Sequence, residues 1–169
     1  MTTLRIGRHR EIPPEFYGTP KEVWDFKVPR ARGTPVSIGR RFIAENEALF
    51  GHKGIRGKFD HAKTLKSLGA THVIFQQRHM GLRIHRAYVT VHISGDGRVY
   101  MAKNRAVPSA LLPDEKNFVI SRTAARRRAL RALRDQAGPI NPVGPVETLW
   151  FPRGRKLRPA YKVRLSCEN

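Results

Sequence analysis

The sequence predicts an α+β protein made of two small units, each a helix packed on an antiparallel sheet, with an irregular N-terminal arm. Apolar residues repeat at helical spacing after Ser37 and again after Ser121. Each helical stretch is followed by short segments with the composition of strands, and an order of helix, strands, helix, strands is typical of α+β units. Prolines and glycines interrupt residues 1–36 and exclude a long helix or a central strand there.

The arm, residues 1–36, contains aromatic side chains among its prolines. Such side chains favour an arm that packs back on the protein over one that extends to a partner. The aromatic residues are Phe16, Tyr17, Trp24 and Phe26.

The first helix is predicted over residues 37–50, with Ser37 as N-cap and Gly51 as the C-terminal stop. Its apolar residues follow the i, i+1, i+7, i+8 spacing of one helix face. They are Phe42, Ile43, Leu49 and Phe50. The polar, glycine-containing residues 52–60 are predicted to form a loop.

Three strands are predicted next, over residues 71–79, 84–93 and 98–104. The middle strand alternates clearly, which predicts one buried face and one solvent face in an antiparallel sheet. The buried face would carry Ala87, Val89, Val91 and Ile93, and the solvent face Arg86, Tyr88, Thr90 and His92. Gly95-Asp96-Gly97 predicts the hairpin into the third strand.

The second unit is predicted to begin after a proline-containing linker at 106–117. Ser121 would cap an Ala- and Arg-rich helix that ends before Gly138-Pro139. Strands are predicted over 146–151 and 159–165, forming one small sheet under this helix. The predicted organisation is therefore an arm at 1–36, a first unit at 37–107 and a second unit at 114–169.

Charge is the dominant compositional feature. The chain has 33 Lys and Arg against 13 Asp and Glu, a formal net charge of +20. Such a surface attracts acidic proteins and polyanions. No run reaches the roughly 18 apolar residues that span a bilayer, and residues 1–6 carry no apolar signal core.

No catalytic set is predicted from the motifs. The chain has no Gly-x-Ser-x-Gly, no Walker loop and no His-Glu-x-x-His. The pairs His72/His79 and His85/His92 have odd separations within a strand, so each pair points to opposite faces and predicts no metal site. Cys167 is the only cysteine, which excludes an intramolecular disulfide and a cysteine-based zinc site. We therefore expect no cofactor.

Gln76-Gln77 is unusual in the middle of a strand. Adjacent side chains point to opposite faces, so one amide must face inward. A buried amide needs hydrogen-bond partners, and we predict backbone groups at a β-bulge.

Residues 71–93, with Thr-His-Val-Ile-Phe-Gln-Gln, a short Gly turn and an alternating strand, resemble the fungalysin/thermolysin propeptide domain of secreted zinc metallopeptidases. Residues 42–51 and 66–70 are similar to the segments that precede this strand in the family. The Ser-capped helix, residues 147–152 and residues 157–165 resemble the PepSY module, without its last strand. Together the resemblance covers about residues 38–165 and implies cystatin-like and PepSY-like folds.

The resemblance implies a non-catalytic module that acts as intramolecular chaperone and inhibitor of a metallopeptidase domain in the same precursor. Such a role needs a complementary surface and no catalytic residues. From charge and pattern, we predict that the partner presents an acidic surface. The predicted contact residues are Arg86, Tyr88, His92, Arg127, Arg131 and Arg134.

Two other functions stay open. A basic chain of this kind suits a nucleic-acid-binding, ribosome-associated protein, although no strand alternates aromatic and basic residues on one face. The chain also suits a docking or structural component of a larger assembly. The resemblance implies secretion, but the missing signal core leaves the compartment open.

Overall fold

The computed structural model describes residues 10–11, 17–24, 29–52, 58–133 and 140–167. The fold is mixed α and β, mostly sheet, with two α-helices, α1 (Pro35–Glu45) and α2 (Arg122–Leu133). The strands are β1 (Arg10–Glu11), β2 (Glu22–Trp24), β3 (Lys58–Ser67), β4 (Ala70–His79), β5 (Leu82–Ser94), β6 (Val99–Asn104), β7 (Ile140–Pro142), β8 (Glu147–Arg153), β9 (Lys156–Lys162) and β10 (Leu165–Cys167). No helix among the described residues is long and apolar enough to cross a membrane.

The main sheet has the order β1-β2-β6-β5-β4-β3, and all of these neighbours are antiparallel. β8 joins the side of β5 in parallel, where Ile84 pairs with Trp150, and β9 continues antiparallel to β8. β7 and β10 form a separate antiparallel pair. The strands of the predicted second unit therefore extend the sheet of the first, and the boundary between the units stays a prediction.

The first helix is shorter than predicted. Thr34, not Ser37, is the N-cap: its Oγ1 accepts a hydrogen bond from the Ser37 backbone N–H at 3.2 Å. Pro35 then occupies the first turn, where a missing N–H costs nothing. The helix ends at Glu45 because the Asn46 side chain donates to the Phe42 carbonyl at 2.7 Å and competes with the helical pattern.

The predicted inner face of β5 is confirmed, since Ala87, Val89, Val91 and Ile93 are all buried. Helix α1 packs on this face through Ile38, Phe42 and Ile43, in the same apolar cluster as the β4 and β5 side chains. The contact is close at Gly39, where a Cβ atom would lie only 2.7 Å from the Phe75 ring. Glycine therefore allows the helix to approach the sheet.

The three strands predicted in the first unit are confirmed as β4, β5 and β6, but the sequence missed β3, which precedes them as the edge strand. Lys58–Asp60, predicted as loop, already belong to β3, while residues 53–57 lie outside the described part. The side chains of β3 are exposed from residue 60 to the end of the strand. Because neither face is buried there, the sequence of β3 does not alternate between apolar and polar residues. Pairing with β4 decides its conformation.

The predicted solvent face of β5 is only partly exposed, which corrects that prediction. Thr90 is buried, whereas Tyr88 and His92 are half-buried and Arg86 is exposed. In the sheet, Thr90 lies between Ile74 of β4 and Lys103 of β6, and these neighbours reduce its exposure.

The arm packs on the protein where the structure describes it. β2 pairs with β6, and Val23 is 0% exposed within the core. The prediction that the arm packs back on the protein is confirmed for these residues. The prediction that the arm is irregular was wrong for them, because they include a strand. Residues 1–9, 12–16 and 25–28, including Phe16 and Phe26, lie outside the described residues.

The second region matches the predicted helix start and two of its strands. Ser121 accepts a hydrogen bond from the Ala124 N–H at 3.2 Å and is the predicted cap. Helix residues predicted beyond Leu133 lie outside the described part. Strands β7 and β10 were not predicted from the sequence.

Residues 106–117 were predicted to form a linker. In the structure Val107 and Ser109 are buried, and Ser109–Leu111 form a short 3-10 helix.

Candidate docking surface

One of the two adjacent glutamines of β4 faces inward with backbone partners, as the sequence predicted, and it is Gln77. Gln77 is 0% exposed, its Nε2 donates to the Val107 carbonyl at 2.8 Å, and its Oε1 accepts from the Val107 N–H at 2.8 Å. The buried amide is therefore satisfied by backbone, and it ties the segment after β6 to the sheet.

Gln76 organises the β-bulge between β4 and β5. Its Nε2 donates to the carbonyls of Ile84 at 2.8 Å and Ala87 at 2.6 Å, and the pairing register shifts between Gln76 and Arg78. Arg86 has a φ of 56°, a left-handed conformation uncommon outside glycine. The bulge leaves Arg86 exposed beside Tyr88, so local structure places two of the predicted contact residues together.

Tyr88 has a cationic neighbour that sequence reasoning missed. The Arg105 guanidinium lies 5.7 Å from the Tyr88 ring centroid, within cation–π range. The Arg105 N–H also donates to the Tyr88 carbonyl at 2.8 Å. Only the pairing of β5 with β6 brings the two residues together.

His92 pairs across the sheet with His72, not along its own strand. Their Nδ1 atoms lie 2.6 Å apart, and Ser67 Oγ lies 2.8 Å from His72 Nε2. The Tyr100 ring lies edge-on at 6.0 Å from the His92 ring. Histidines of one strand did not predict this pair, because it is the register of the β4–β5 hairpin that places His72 opposite His92.

Burial, followed by the charges of His72 and Lys103, lowers the pKa of His92 to about 4, while Glu22 acts in the opposite direction. His92 is therefore neutral near pH 7. The described part of the chain holds no group of three or more residues that could ligate a metal ion.

His52 is a buried histidine in the segment 52–60 that was predicted to form a loop. It is 1% exposed, lies 3.4 Å from Ser109 Oγ through Nδ1, and burial lowers its pKa to about 4. It lines a cavity of about 210 Å³ between α1 and the sheet, together with Phe59, Phe75 and the exposed Arg40.

The arginines of α2 form an exposed row on the second region. Arg127 and Arg131 are exposed, as are Arg122, Arg126 and Arg128, whereas Arg134 lies outside the described residues. None of these five exposed arginines has an ion pair with an acidic side chain of the described chain. Within the same residues, no hydrogen bond or ion pair links α2 to Arg86, Tyr88 or His92.

Comparison with known proteins identifies one motif. The family model described as the Fungalysin/Thermolysin Propeptide Motif matches residues 61–106. No curated protein matches the chain significantly. The matched residues run from within β3 to just beyond β6, so they include the glutamine-containing strand, the bulge and the His72–His92 pair. The predicted resemblance of the first unit is confirmed by this match, while the PepSY resemblance of the second unit stays a prediction.

Proposed function

We propose that this chain is a non-catalytic propeptide-like module that assists folding of a zinc metallopeptidase domain and inhibits it afterwards. The match of residues 61–106 to the propeptide motif carries the proposal. The hydrogen bonds of Gln76 and Gln77 support it, because they make the matched segment a rigid sheet with a defined exposed surface. A preformed surface loses little conformational entropy of its own when a partner condenses on it.

The docking partner in this proposal has an acidic surface. The row on α2, above all Arg127, Arg131 and Arg134, supplies cations, and the described ones lack acidic partners. A partner carboxylate would pair with them in fork geometry and relieve their mutual repulsion. Arg86, Tyr88 and His92 supply the second contact on the sheet. The module would then be secreted with its peptidase.

A refolding assay tests the proposal. Thermolysin-type and fungalysin-type catalytic domains without their propeptides are denatured and diluted into buffer with or without the purified chain. We expect the chain to raise the recovered peptidase activity of a domain with an acidic surface, and an excess of the chain to inhibit the native form of that domain. An absence of both effects across the panel would overturn the proposal.

Two double variants locate the docking surface. Arg127→Glu with Arg131→Glu should weaken inhibition strongly, since it reverses two exposed charges of the α2 row. Arg153→Glu with Arg155→Glu makes the same charge change on β8 and the adjoining turn and should have little effect. Equal loss in both variants would show a response to net charge alone and would remove α2 from the interface.

A further inference from the structure

One face of the β8–β9 hairpin combines exposed aromatic and basic side chains. Phe151 pairs across the strands with Arg158, and Arg153 pairs with Lys156, so these four side chains lie on the same face. Phe151 is 45% exposed, and the other three are also exposed. Phe151 and Arg153 belong to β8, whereas Lys156 and Arg158 belong to β9, so the antiparallel pairing of the two strands produces the combination.

An aromatic stack anchors this face to β5. The rings of His85 and Phe151 are stacked, with centroids 5.4 Å apart and an interplanar angle of 20°. His85 is half-buried, and burial, followed by the charges of Arg86, Arg83 and Lys162, lowers its pKa. The same surroundings therefore favour the uncharged form of the imidazole that stacks on the phenyl ring.

The cations of this face have almost no acidic neighbours. Glu147, on the same strand as Phe151, is paired with Arg83 of β5 and Arg164. Arg153, Lys156 and Arg158 have no ion pair among the described residues, and the same is true of Arg155 in the adjoining turn. Within the described part of the chain, three cations without ion pairs thus lie on the same face as the exposed Phe151 ring, and a fourth, Arg155, lies in the adjoining turn.

We propose that this surface, formed by His85, Phe151, Arg153, Arg155, Lys156 and Arg158, binds single-stranded nucleic acid. An unpaired base extends the His85–Phe151 stack, and the flanking phosphates pair with the surrounding cations. The site goes beyond the proposed propeptide function and does not depend on it, because the α2 row is a separate surface.

An acidic peptide would satisfy only part of this surface. Carboxylates pair with arginine as phosphates do, but acidic side chains offer no planar ring to stack on Phe151. A duplex fits less well, because its bases are already stacked inside the helix. The exposed ring in the middle of the cations therefore favours a single strand.

The test is fluorescence anisotropy with the full chain and a fluorescein-labelled oligothymidylate, over a salt series. Phe151→Leu keeps the apolar volume but removes the ring, and we expect it to weaken binding by roughly ten-fold, while Phe151→Trp should retain or strengthen binding. Arg155→Gln with Arg158→Gln should reduce the slope of log K against log salt by about 1.4, since each phosphate contact contributes about 0.7 on a single strand.

Arg127→Gln with Arg131→Gln is the matched control, because it makes the same charge change on α2. We expect it to leave most of the affinity and the salt slope intact. Three results would each overturn the proposal. The first is an equal loss of affinity in both double variants, the second is unchanged affinity in Phe151→Leu, and the third is equal affinity for a duplex of the same length. Polyglutamate is added as a competitor to the wild type and to Phe151→Leu. If it displaces the labelled strand from both proteins as well as unlabelled oligonucleotide does, the surface binds polyanions in general and the proposal is wrong.

Discussion

The two regions of this protein differ in how much of their own core they provide. The first region, α1 with β3–β6, forms a cluster of buried side chains that α1, β2 and the sheet supply among themselves. The second region, α2 with β7–β10, contributes only Trp150 and Leu157 to the other cluster, which is completed by Ile84, Ala87 and Val107. Ala125 is the one buried residue among the described residues of α2.

The difference indicates an order of dependence. The first region has enough buried apolar surface to hold its own sheet together, whereas the hairpin β8–β9 is attached mainly by burial of Trp150 and Leu157 against the first region. A two-stranded hairpin alone is marginal in water. We therefore expect the first region to be stable without the second. The second region, with its exposed basic residues, should be less stable and depend on contacts with the first.

Replacement of Trp150 should have the largest effect. Trp150 is 0% exposed, and its Nε1 donates to the His79 carbonyl at 2.9 Å. We expect Trp150→Ala to lower the free energy of unfolding by about 3–5 kcal/mol in urea titration. Hydrogen exchange should show loss of protection in β8 and β9 first, while β4 and β5 stay protected. Phe75→Ala, in the first core, should remove protection from β8 and β9 as well as from β4. If β8 and β9 stay protected while β4 loses protection, the dependence proposed between the regions is wrong.

Lowering the pH should have an intermediate effect on the free energy of unfolding, through a histidine of the first region. The pKa of His92 is about 4 in the folded protein against 6.5 for an ordinary histidine. The unfolded chain therefore binds more protons between these pH values, so the free energy of unfolding is highest above pH 6.5 and falls as the pH drops toward 4. His52 acts in the same direction.

His92→Gln should reduce this pH dependence, since glutamine does not titrate. Urea titrations at a series of pH values measure the slope, and the exposed His61→Gln on β3 is the matched control. His72, Lys103, Glu22 and Tyr100 face His92 and remain in both variants. Identical slopes in the wild type and in His92→Gln would contradict the assignment.

Loss of the ion pair that joins the two regions should have the smallest effect on the free energy of unfolding. Arg83 of β5 and Glu147 of β8 form an ion pair at 2.5 Å, but both side chains are 30% exposed. We expect Glu147→Gln to lower the free energy of unfolding by at most about 1 kcal/mol, and less at high salt. A loss as large as that of Trp150→Ala would mean that charge, and not burial, attaches the second region.

Local patterns in the sequence predicted those elements whose side chains themselves decide the conformation. The alternation in β5, the cap at Ser121 and the buried amide of Gln77 were all predicted, because each depends on neighbours along the chain or on the two-residue period of a strand. The exposed edge strand β3 and the short β7 and β10 were missed, because only pairing with a distant strand makes them strands.

The candidate surfaces show the same division. The sequence identified Arg86, Tyr88 and His92 as residues of one strand face and Arg127 and Arg131 as residues of one helix face. It did not predict the partners Arg105 and His72, nor the cations around Phe151, since these meet only through the register of paired strands.

Composition and short-range periodicity, which are properties of the chain alone, were sufficient to predict the α+β class and the strongly basic surface, and the resemblance of residues 71–93 to a known family indicated the propeptide-like segment. Tertiary structure alone decided that β8 attaches to β5 and that Trp150 enters a core made largely by the first region. It also decided that two histidines share a hydrogen bond. These contacts join residues far apart in the chain, and their free energy comes from burial and pairing that no local pattern encodes.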